Sequence, residues 1–213
     1  AAIQRFAPVS IYAKSLNIDQ AARLGRLGLP KILAAKALDR AFPPRQPDSP
    51  LSFSILAESE VVRVVDLLNS AARFGATPLL RLWTPDDFRL RACNSRYAVL
   101  GLHLPDSDAL LGAAWGYVNP VCQGEFAYFA LDGVVFAPDA TWKQRRALMA
   151  GVEHHARQEL GCFSVVVPGN VSTMPLSTMG YIPYTQQLLS FASLNDSLDA
   201  LPDPFGACWT ELR

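Results

Sequence analysis

The sequence has no excess of charge of either sign, few cysteines and histidines, and no long apolar run. Nineteen basic residues balance nineteen acidic ones among 213, so there is no electrostatic reason to expect a nucleic-acid partner or binding to an anionic membrane. The apolar runs fall far short of the ~20 residues that a membrane-spanning helix needs, so we expect no membrane span. Half of the residues are apolar and 18% are charged, which argues against disorder and predicts a globular fold that buries a sizeable core.

The four cysteines are far apart, and no pair has the spacing of zinc ligands, so we expect no metal site. Cys93, Cys122 and Cys162 lie in apolar or regular segments, which predicts buried free thiols and a reducing, cytoplasmic compartment. The adjacent His154 and His155 point about 100° apart on a helix, which predicts a pair on the protein surface rather than two ligands of one metal.

Four prolines within residues 43–50 divide the chain, because such a stretch cannot be helical and resists pairing as the interior of a strand. We interpret 43–50 as a linker and 1–42 as an N-terminal strand and helical appendage. The main domain is then 51–213. The predicted elements of the appendage are a strand at 6–12 and one or two helices at 17–28 and 30–41.

The main domain shows a mixed pattern of strands and helices. Predicted strands lie at 51–56, 97–104, 110–118, 125–136, 163–167 and 181–192, and predicted helices at 60–74, 84–93 and 141–160, with a short one before Gly180. Ser59 and Thr84 are the expected caps of the first two helices. The helix at 141–160 joins two strands and predicts that they are parallel, whereas the hairpin before them is antiparallel. The fold class is therefore α/β or α+β, and Gly133 predicts a bulge within its strand.

The stretch LDGVVFAPDATWKQRRALMAGVEHHARQELGCFSVVVPGNVSTMPLSTMGYIPY, together with the order of elements, resembles the GNAT N-acetyltransferase superfamily. The resemblance implies a mixed, mostly antiparallel sheet with a central parallel pair of splayed strands. It also implies that acetyl-CoA or another acyl-CoA binds between these strands, with its pantetheine arm on exposed backbone amides. Its pyrophosphate would bind at the start of the long helix, where the helix dipole favours anions. The cofactor-binding residues that the resemblance implies are Val134, Val135, Phe136, Thr141, Lys143, Gln144, Arg145, Arg146 and Asn170.

The phosphate-binding loop departs from the pattern of the superfamily, because residues 139–146 contain no glycine. Glycine would let the backbone approach a phosphate closely. Two interpretations of the three cations there remain open. Lys143, Arg145 and Arg146 either supply charge in place of amides or are solvated residues of the first helical turn.

The residues for proton transfer also depart from the superfamily, which often has a tyrosine at the position of Leu176. The candidate substitutes for this acid are Ser172, Thr173, Ser177 and Tyr181. For the base we expect Asp132 in mid-strand, with Glu125 near the start of the same strand as a second carboxylate. The alternatives are a positioned water molecule and a solvent-facing Asp132.

Two functions follow from the resemblance. The first is an acyl-CoA-dependent N-acyltransferase that transfers acetyl to a small-molecule or peptide amine through an atypical or impaired site. The second is an inactive domain, a pseudoenzyme, that binds a protein partner or a preceding tandem domain.

The segment 15–17 (Ser-Leu-Asn) is similar to 193–195, and an aspartate follows each one closely. This similarity, and a sequence that does not begin with Met, favour 1–42 as the tail of a preceding similar domain. The alternative is an extension packed on the core.

Overall fold

The computed structural model describes residues 4–25, 29–43, 52–74, 83–92, 97–104, 109–169 and 175–192. Within these residues the strands are β1 (Gln4–Ser15), β2 (Ser52–Ile55), β3 (Tyr97–His103), β4 (Leu110–Val121), β5 (Phe126–Phe136), β6 (Ser164–Pro168) and β7 (Ile182–Ala192). The helices are α1 (Ile18–Gly25), α2 (Leu29–Ala41), α3 (Val61–Phe74), α4 (Pro85–Ala92) and α5 (Trp142–Gln158). Short 3₁₀ turns lie at Glu58–Glu60, Cys122–Gly124 and Leu176–Met179.

The strands form one mixed sheet in the order β2-β3-β4-β5-β6-β1-β7. Every neighbouring pair is antiparallel except β5 and β6, which are parallel and are joined by α5. Antiparallel neighbours can be joined by tight turns, whereas a parallel pair needs a crossover such as a helix. The predicted mixed sheet with one central parallel pair is therefore confirmed.

The first segment of the chain supplies an interior strand of this sheet. β1 lies between β6 and β7, with Lys14 opposite Val165 and Arg5 opposite Phe191. Helices α1 and α2 then follow β1 along the chain. The strand that we assigned to an appendage thus completes the sheet of the main domain, while the division of the chain at 43–50 stays a prediction.

Each face of the sheet is covered by its own helices. On one face, α5 packs Leu148 and Val152 against strand residues such as Phe129 and Val165. On the other face, α3 and α4 pack against β3, β4 and β5, and the buried side chains of α3 are Val61, Val64, Val65 and Leu68. Their spacing of three, four and seven residues forms one helical stripe, as the sequence predicts.

The two predicted helix caps have different outcomes. The Thr84 hydroxyl accepts a hydrogen bond from the backbone N–H of Asp87 at 3.1 Å, so the cap of α4 is confirmed. The prediction for Ser59 is wrong, because Ser59 lies inside the 3₁₀ turn that precedes α3. There the N-cap is Ala57, whose N–H donates a hydrogen bond to the Glu60 carboxylate at 3.0 Å.

Candidate functional site

The parallel strands β5 and β6 stay paired over a short distance and then separate. Their register joins Tyr128 to Ser164 and ends where Ala130 lies opposite Val166. Beyond that point β5 continues to Phe136 along β4, and β6 continues along β1. Along residues 131–136, the N–H and C=O groups that do not face β4 therefore point into the gap between β5 and β6, where none of the described strands pairs with them.

A bulge in β5 lies beside this separation and contains Asp132. Trp115 of β4 is opposite Gly133 and Gly116 is opposite Leu131, so Asp132 is the extra residue. Glycine is required at 133 because a Cβ there would lie 2.0 Å from Cζ2 of the Trp115 indole. The bulge predicted at Gly133 is confirmed, and its cause is close packing of Trp115 on the backbone.

The Asp132 carboxylate is buried rather than solvent-facing, with 2% of the residue exposed. The Tyr97 hydroxyl donates a long hydrogen bond of 3.5 Å to its Oδ2 atom. Along β5, Asp132 lies two residues past Ala130, the last residue that pairs with β6, and so it borders the gap. A carboxylate in this place could accept a proton from a ligand bound in the gap.

The structure does not bring Glu125 to the same place. Glu125 is exposed and lies just before β5, at the end of the strand remote from the gap. Seven residue-to-residue steps of nearly extended chain lead from it to Asp132, which corresponds to roughly 20 Å. The two carboxylates therefore cannot act on one substrate atom.

The cofactor residues that we expected on β5 can offer only their backbone. The side chains of Val134 and Val135 are buried in the cores on opposite faces of the sheet, and Phe136 is half-buried. This placement agrees with a role in which their N–H and C=O groups, and not their side chains, contact a ligand.

The start of α5 is closed by its own side chains. The Thr141 hydroxyl accepts from the Gln144 N–H at 3.3 Å, and the Gln144 side chain accepts from the Thr141 N–H at 2.7 Å. This capping box uses two of the donors that would otherwise attract an anion. Trp142 and Lys143 lie between them and are exposed.

The three cations near the start of α5 have different surroundings. Lys143 extends into solvent. Arg145 folds back toward β5, where its Nε donates to the Ala140 carbonyl at 3.0 Å and its guanidinium lies 5.3 Å from the centre of the Phe136 ring. Arg146 is half-buried and lines a small pocket beside α5. Of these three cations, only Lys143 is therefore the solvated side chain that one of our two interpretations expects.

No protein-family model matches the sequence, and no curated protein matches it. Among solved structures, two of Saccharomyces cerevisiae N-myristoyltransferase with bound myristoyl-CoA are similar to 87% of this chain. Their TM-scores are 0.67 and 0.69, at 14% and 12% identity. A GCN5-related N-acetyltransferase from Kribbella flavida matches 93% of the chain with a TM-score of 0.54 and 10% identity. The chain has the GNAT fold.

The matches cover most of this chain but a smaller part of each matched protein. The chain spans 47% and 48% of the two N-myristoyltransferase chains and 63% of the Kribbella flavida protein. At such low identity the similarity defines the GNAT fold and leaves the activity to be argued from the residues. None of the helices in the described ranges is long and apolar enough to cross a membrane.

A buried polar cluster beside α5 was missed by the sequence analysis. Lys14 of β1 and Glu153 of α5 form an ion pair of 2.7 Å, although both are more than nine-tenths buried. The Lys14 ammonium also lies 5.7 Å from the centre of the Tyr181 ring. The partners of the pair are 139 residues apart, so no local pattern indicates that they meet.

Tyr181 cannot replace the tyrosine that the superfamily often uses as an acid. Only 1% of it is exposed, and burial, with the nearby Glu153 carboxylate adding to it, raises the pKa of its hydroxyl well above the usual range. Leu176 is buried and Ser177 is exposed in the 3₁₀ turn before Tyr181. The remaining residues that we expected near this turn lie outside the described residues; they are Asn170, Ser172 and Thr173.

Two expectations about single residues are wrong. His155 is buried, because it lies on the side of α5 that faces the sheet, and this burial lowers its pKa. Cys122 is exposed at the tip of the β4–β5 hairpin, whereas Cys162 is buried, which raises the pKa of its thiol to about 11. Cys93 lies outside the described residues. Within the described part of the chain, no three His, Cys, Asp or Glu residues are grouped as metal ligands would be.

Proposed function

We propose that the chain is an N-acyltransferase that uses an acyl-CoA, such as acetyl-CoA, to acylate an amine. The observation that carries the proposal is the separation of β5 from β6 beside a buried carboxylate. Their pairing ends at Ala130, and Asp132 lies two residues further along. Acyl transfer needs a place that holds the donor and a group that takes a proton from the acceptor, and these two features can provide both. The similarity to an N-myristoyltransferase and to a GCN5-related N-acetyltransferase supports this class of reaction.

An acyl-CoA fits the open edge of β5 better than it fits the start of α5. Backbone groups of Val134, Val135 and Phe136 would hold the pantetheine arm, because their side chains are already packed on either side of the sheet. The capping box of α5 uses the Thr141 and Gln144 amides, so the pyrophosphate would depend more strongly on cations. The cations in reach of this turn are Lys143, Arg145 and Arg146.

The bound acyl-CoA would supply the acyl group as a thioester. The acceptor nitrogen loses a proton as its bond to the acyl carbon forms and the carbon–sulfur bond breaks, and the Asp132 carboxylate would accept that proton. Leu176 has no proton to give, so we assign protonation of the departing sulfur to solvent. The acceptor would be a small-molecule or peptide amine.

A cytoplasmic location is part of the proposal and is supported by the free thiols of Cys122 and Cys162.

An inactive binding module is the second candidate function. Two observations favour it. The turn before α5 has no glycine, and the side chains of Thr141 and Gln144 already accept hydrogen bonds from backbone amides at the start of the helix. In addition, the position of the acid is occupied by Leu176, which is apolar and buried. Such a module would keep the GNAT fold and bind a protein partner or a preceding tandem domain. The two candidates differ in whether the chain binds acyl-CoA.

Calorimetric titration of the protein with acetyl-CoA and with myristoyl-CoA tests the binding step. We expect micromolar affinity for at least one of them and a loss of about tenfold for Lys143→Ala and for Arg146→Ala, since each removes one charge-assisted contact. Arg157→Ala, in the last turn of the same helix, is the matched control and should bind as the parent does. No heat and no thermal shift with millimolar acyl-CoA would refute the enzyme and leave the binding module.

Release of free CoA in the presence of an amine panel tests the chemical step. Asp132→Asn keeps the size of the side chain and should lower kcat by about 10²- to 10⁴-fold with little change in acyl-CoA affinity. Glu125→Gln is the matched control, because it changes a carboxylate next to the same strand at its far end. Equal kcat for Asp132→Asn and the parent would remove Asp132 from the mechanism.

A further inference from the structure

Helix α2 is poorly covered by the rest of the described structure. Of the α2 residues whose side chains the structure describes, none is buried. Ile32, Ala35 and Asp39 are half-buried, and they mark the side of the helix that faces the molecule. A helix of 13 residues is marginal in water by itself and gains its stability mainly from packing. Packing on its outer side would therefore stabilise α2.

The outer side of α2 is an apolar surface. Of the eight side chains on this half of the helix, seven are apolar and exposed, and the eighth, Arg40, lies near one edge. The exposed fractions of the three leucines are 71%, 59% and 39%. Single exposed apolar residues are common, whereas a contiguous apolar surface marks a place of interaction. We call the seven residues the α2 face; they are Leu29, Pro30, Leu33, Ala34, Ala37, Leu38 and Ala41.

Two contacts set the position of α2 on the molecule. Lys36 forms an ion pair of 3.3 Å with Asp19 of α1. Directly after the helix, Phe42 packs so closely on Gly180 that a Cβ on this glycine would lie 2.5 Å from the Phe42 Cβ. The α2 face is thus presented by a helix that is already in place, which lowers the entropic cost of binding a partner.

The shape of the α2 face is complementary to itself. When two such helices pack antiparallel about a two-fold axis near Ala35, residue 33 of one copy lies near residue 37 of the other. Leu33 then lies against the partner's Ala37, so a large side chain meets a small one, and the symmetry makes this contact twice.

The charges around the α2 face allow a second copy to approach. Lys36 is already paired with Asp19, and in the antiparallel arrangement the two copies of Arg40 would lie about 15 Å apart along the helices, which is more than a Debye length. The chain has a formal net charge of zero, so the whole molecule does not repel its own copies.

We propose that the α2 face packs on the α2 face of a second copy of this chain and forms a two-fold dimer. A contact about 20 Å long and about 10 Å wide is smaller than a standard interface of about 800 Å² per partner. The dimer is therefore weak, with a dissociation constant of about 10–100 µM. The inference does not depend on acyl-CoA binding and applies equally to the enzyme and to the binding module.

Sedimentation equilibrium of the protein over a range of about 5 to 500 µM tests the dimer. We expect the weight-average mass to rise with concentration from 23.2 kDa toward twice that value. A mass that stays at 23.2 kDa over the whole range would overturn the proposal.

Variants then place the contact on the α2 face. Leu33→Glu and Ala37→Glu each put an unpaired charge into the contact and should weaken the dimer at least about tenfold. Glutamate is a good helix former, so α2 should stay helical, which circular dichroism checks. Leu90→Glu is the matched control, because Leu90 of α4 is 84% exposed and lies outside the α2 face. A dimer that persists in Leu33→Glu, or that is lost equally in Leu90→Glu, would overturn the proposal.

A mixture of Leu33→Glu and Leu33→Lys copies tests the two-fold arrangement. The two residues 33 of a dimer would lie about 6 Å apart along the helices, so opposite charges attract in a mixed dimer and like charges repel in each variant alone. We expect the mixture to dimerise several-fold more tightly than either variant alone. No such recovery would refute the packing of α2 on α2.

Two outcomes would give the α2 face a different occupant, and both overturn the dimer. A monomer whose melting temperature falls in Leu33→Glu but not in Leu90→Glu would mean that another segment of the same chain covers the face. A monomer whose stability is unchanged in Leu33→Glu would leave the face for a different protein.

Discussion

A single methyl group added at Gly133 should destabilise the protein and disturb the bulge that holds Asp132. In Gly133→Ala the new Cβ would lie 2.0 Å from Cζ2 and 2.4 Å from Cε2 of Trp115. Carbon atoms that are not bonded to each other pack at about 3.5–4.0 Å, so the ring or the strand must move by more than 1 Å. Trp115 is fully buried and its ring lies 5.3 Å from that of Phe88, so a movement of the indole toward Phe88 would be opposed by that ring.

The magnitude follows from the cost of inserting a carbon into a packed core. Such substitutions typically cost about 1–3 kcal/mol, and the short distance at Gly133 places this one near about 3 kcal/mol. For a chain of this length, each kcal/mol lowers the melting temperature by about 2–4 °C, so we expect a decrease of about 6–12 °C. Gly161→Ala is the control for adding a methyl group at a glycine, because the space there is open and only the positive φ of 64° is unfavourable. It should cost about 1 kcal/mol.

Urea unfolding followed by tryptophan fluorescence and circular dichroism measures both variants. Trp115→Phe removes the ring carbons that would clash, so it should recover part of the loss when it is combined with Gly133→Ala. A coupling free energy of at least about 1 kcal/mol in this double-mutant cycle is expected. The reasoning is refuted if Gly133→Ala costs no more than Gly161→Ala, or if the effects at Gly133 and Trp115 simply add.

Two further predictions concern charged groups around α5. Lys14→Met removes one charge of the buried Lys14–Glu153 pair and should lower the free energy of unfolding by about 3–5 kcal/mol. The double variant Lys14→Met with Glu153→Leu leaves no unpaired charge and should recover most of this loss. Urea unfolding that gives the same loss for the single and the double variant would contradict this prediction. Burial lowers the pKa of His155 below the 6.5 of an unfolded chain, so the unfolded state binds more protons as the pH falls below 6.5, and the free energy of unfolding should fall with it. His155→Gln should reduce this dependence and His154→Gln should not; parallel pH curves for His155→Gln and the parent would disprove the assignment.

Local signals in the sequence predict much of the sheet and helices. The spacing of Val61, Val64 and Leu68 indicates a buried stripe, and Thr84 before a proline indicates the cap at the start of a helix. A helix between two apolar strands indicates a parallel pair. All three features depend on residues that are close in sequence, which is why they can be read without the fold.

Features that join distant parts of the chain could not be predicted in this way. Nothing near β1 indicates that it pairs between β6 and β7, and nothing near Lys14 indicates that Glu153 faces it. The burial of His155 is different, because a signal was present. His155 is three residues after Val152 and seven after Leu148, so it continues the buried stripe of α5, and that spacing should have outweighed its polarity.

The way in which α5 begins bears most directly on the choice between enzyme and binding module. A helix start that left its amides unsatisfied would gain stability from an anion, and ligand and fold would then be coupled. Here Thr141 and Gln144 already satisfy two of these donors, so the start of α5 does not depend on a phosphate for its stability. Side-chain charge should therefore make a larger contribution to any affinity for the pyrophosphate than it would at a helix start without a capping box. For that reason Lys143→Ala and Arg146→Ala should weaken acyl-CoA binding without disturbing the GNAT fold, and they separate the two candidate functions more cleanly than changes to the helix cap.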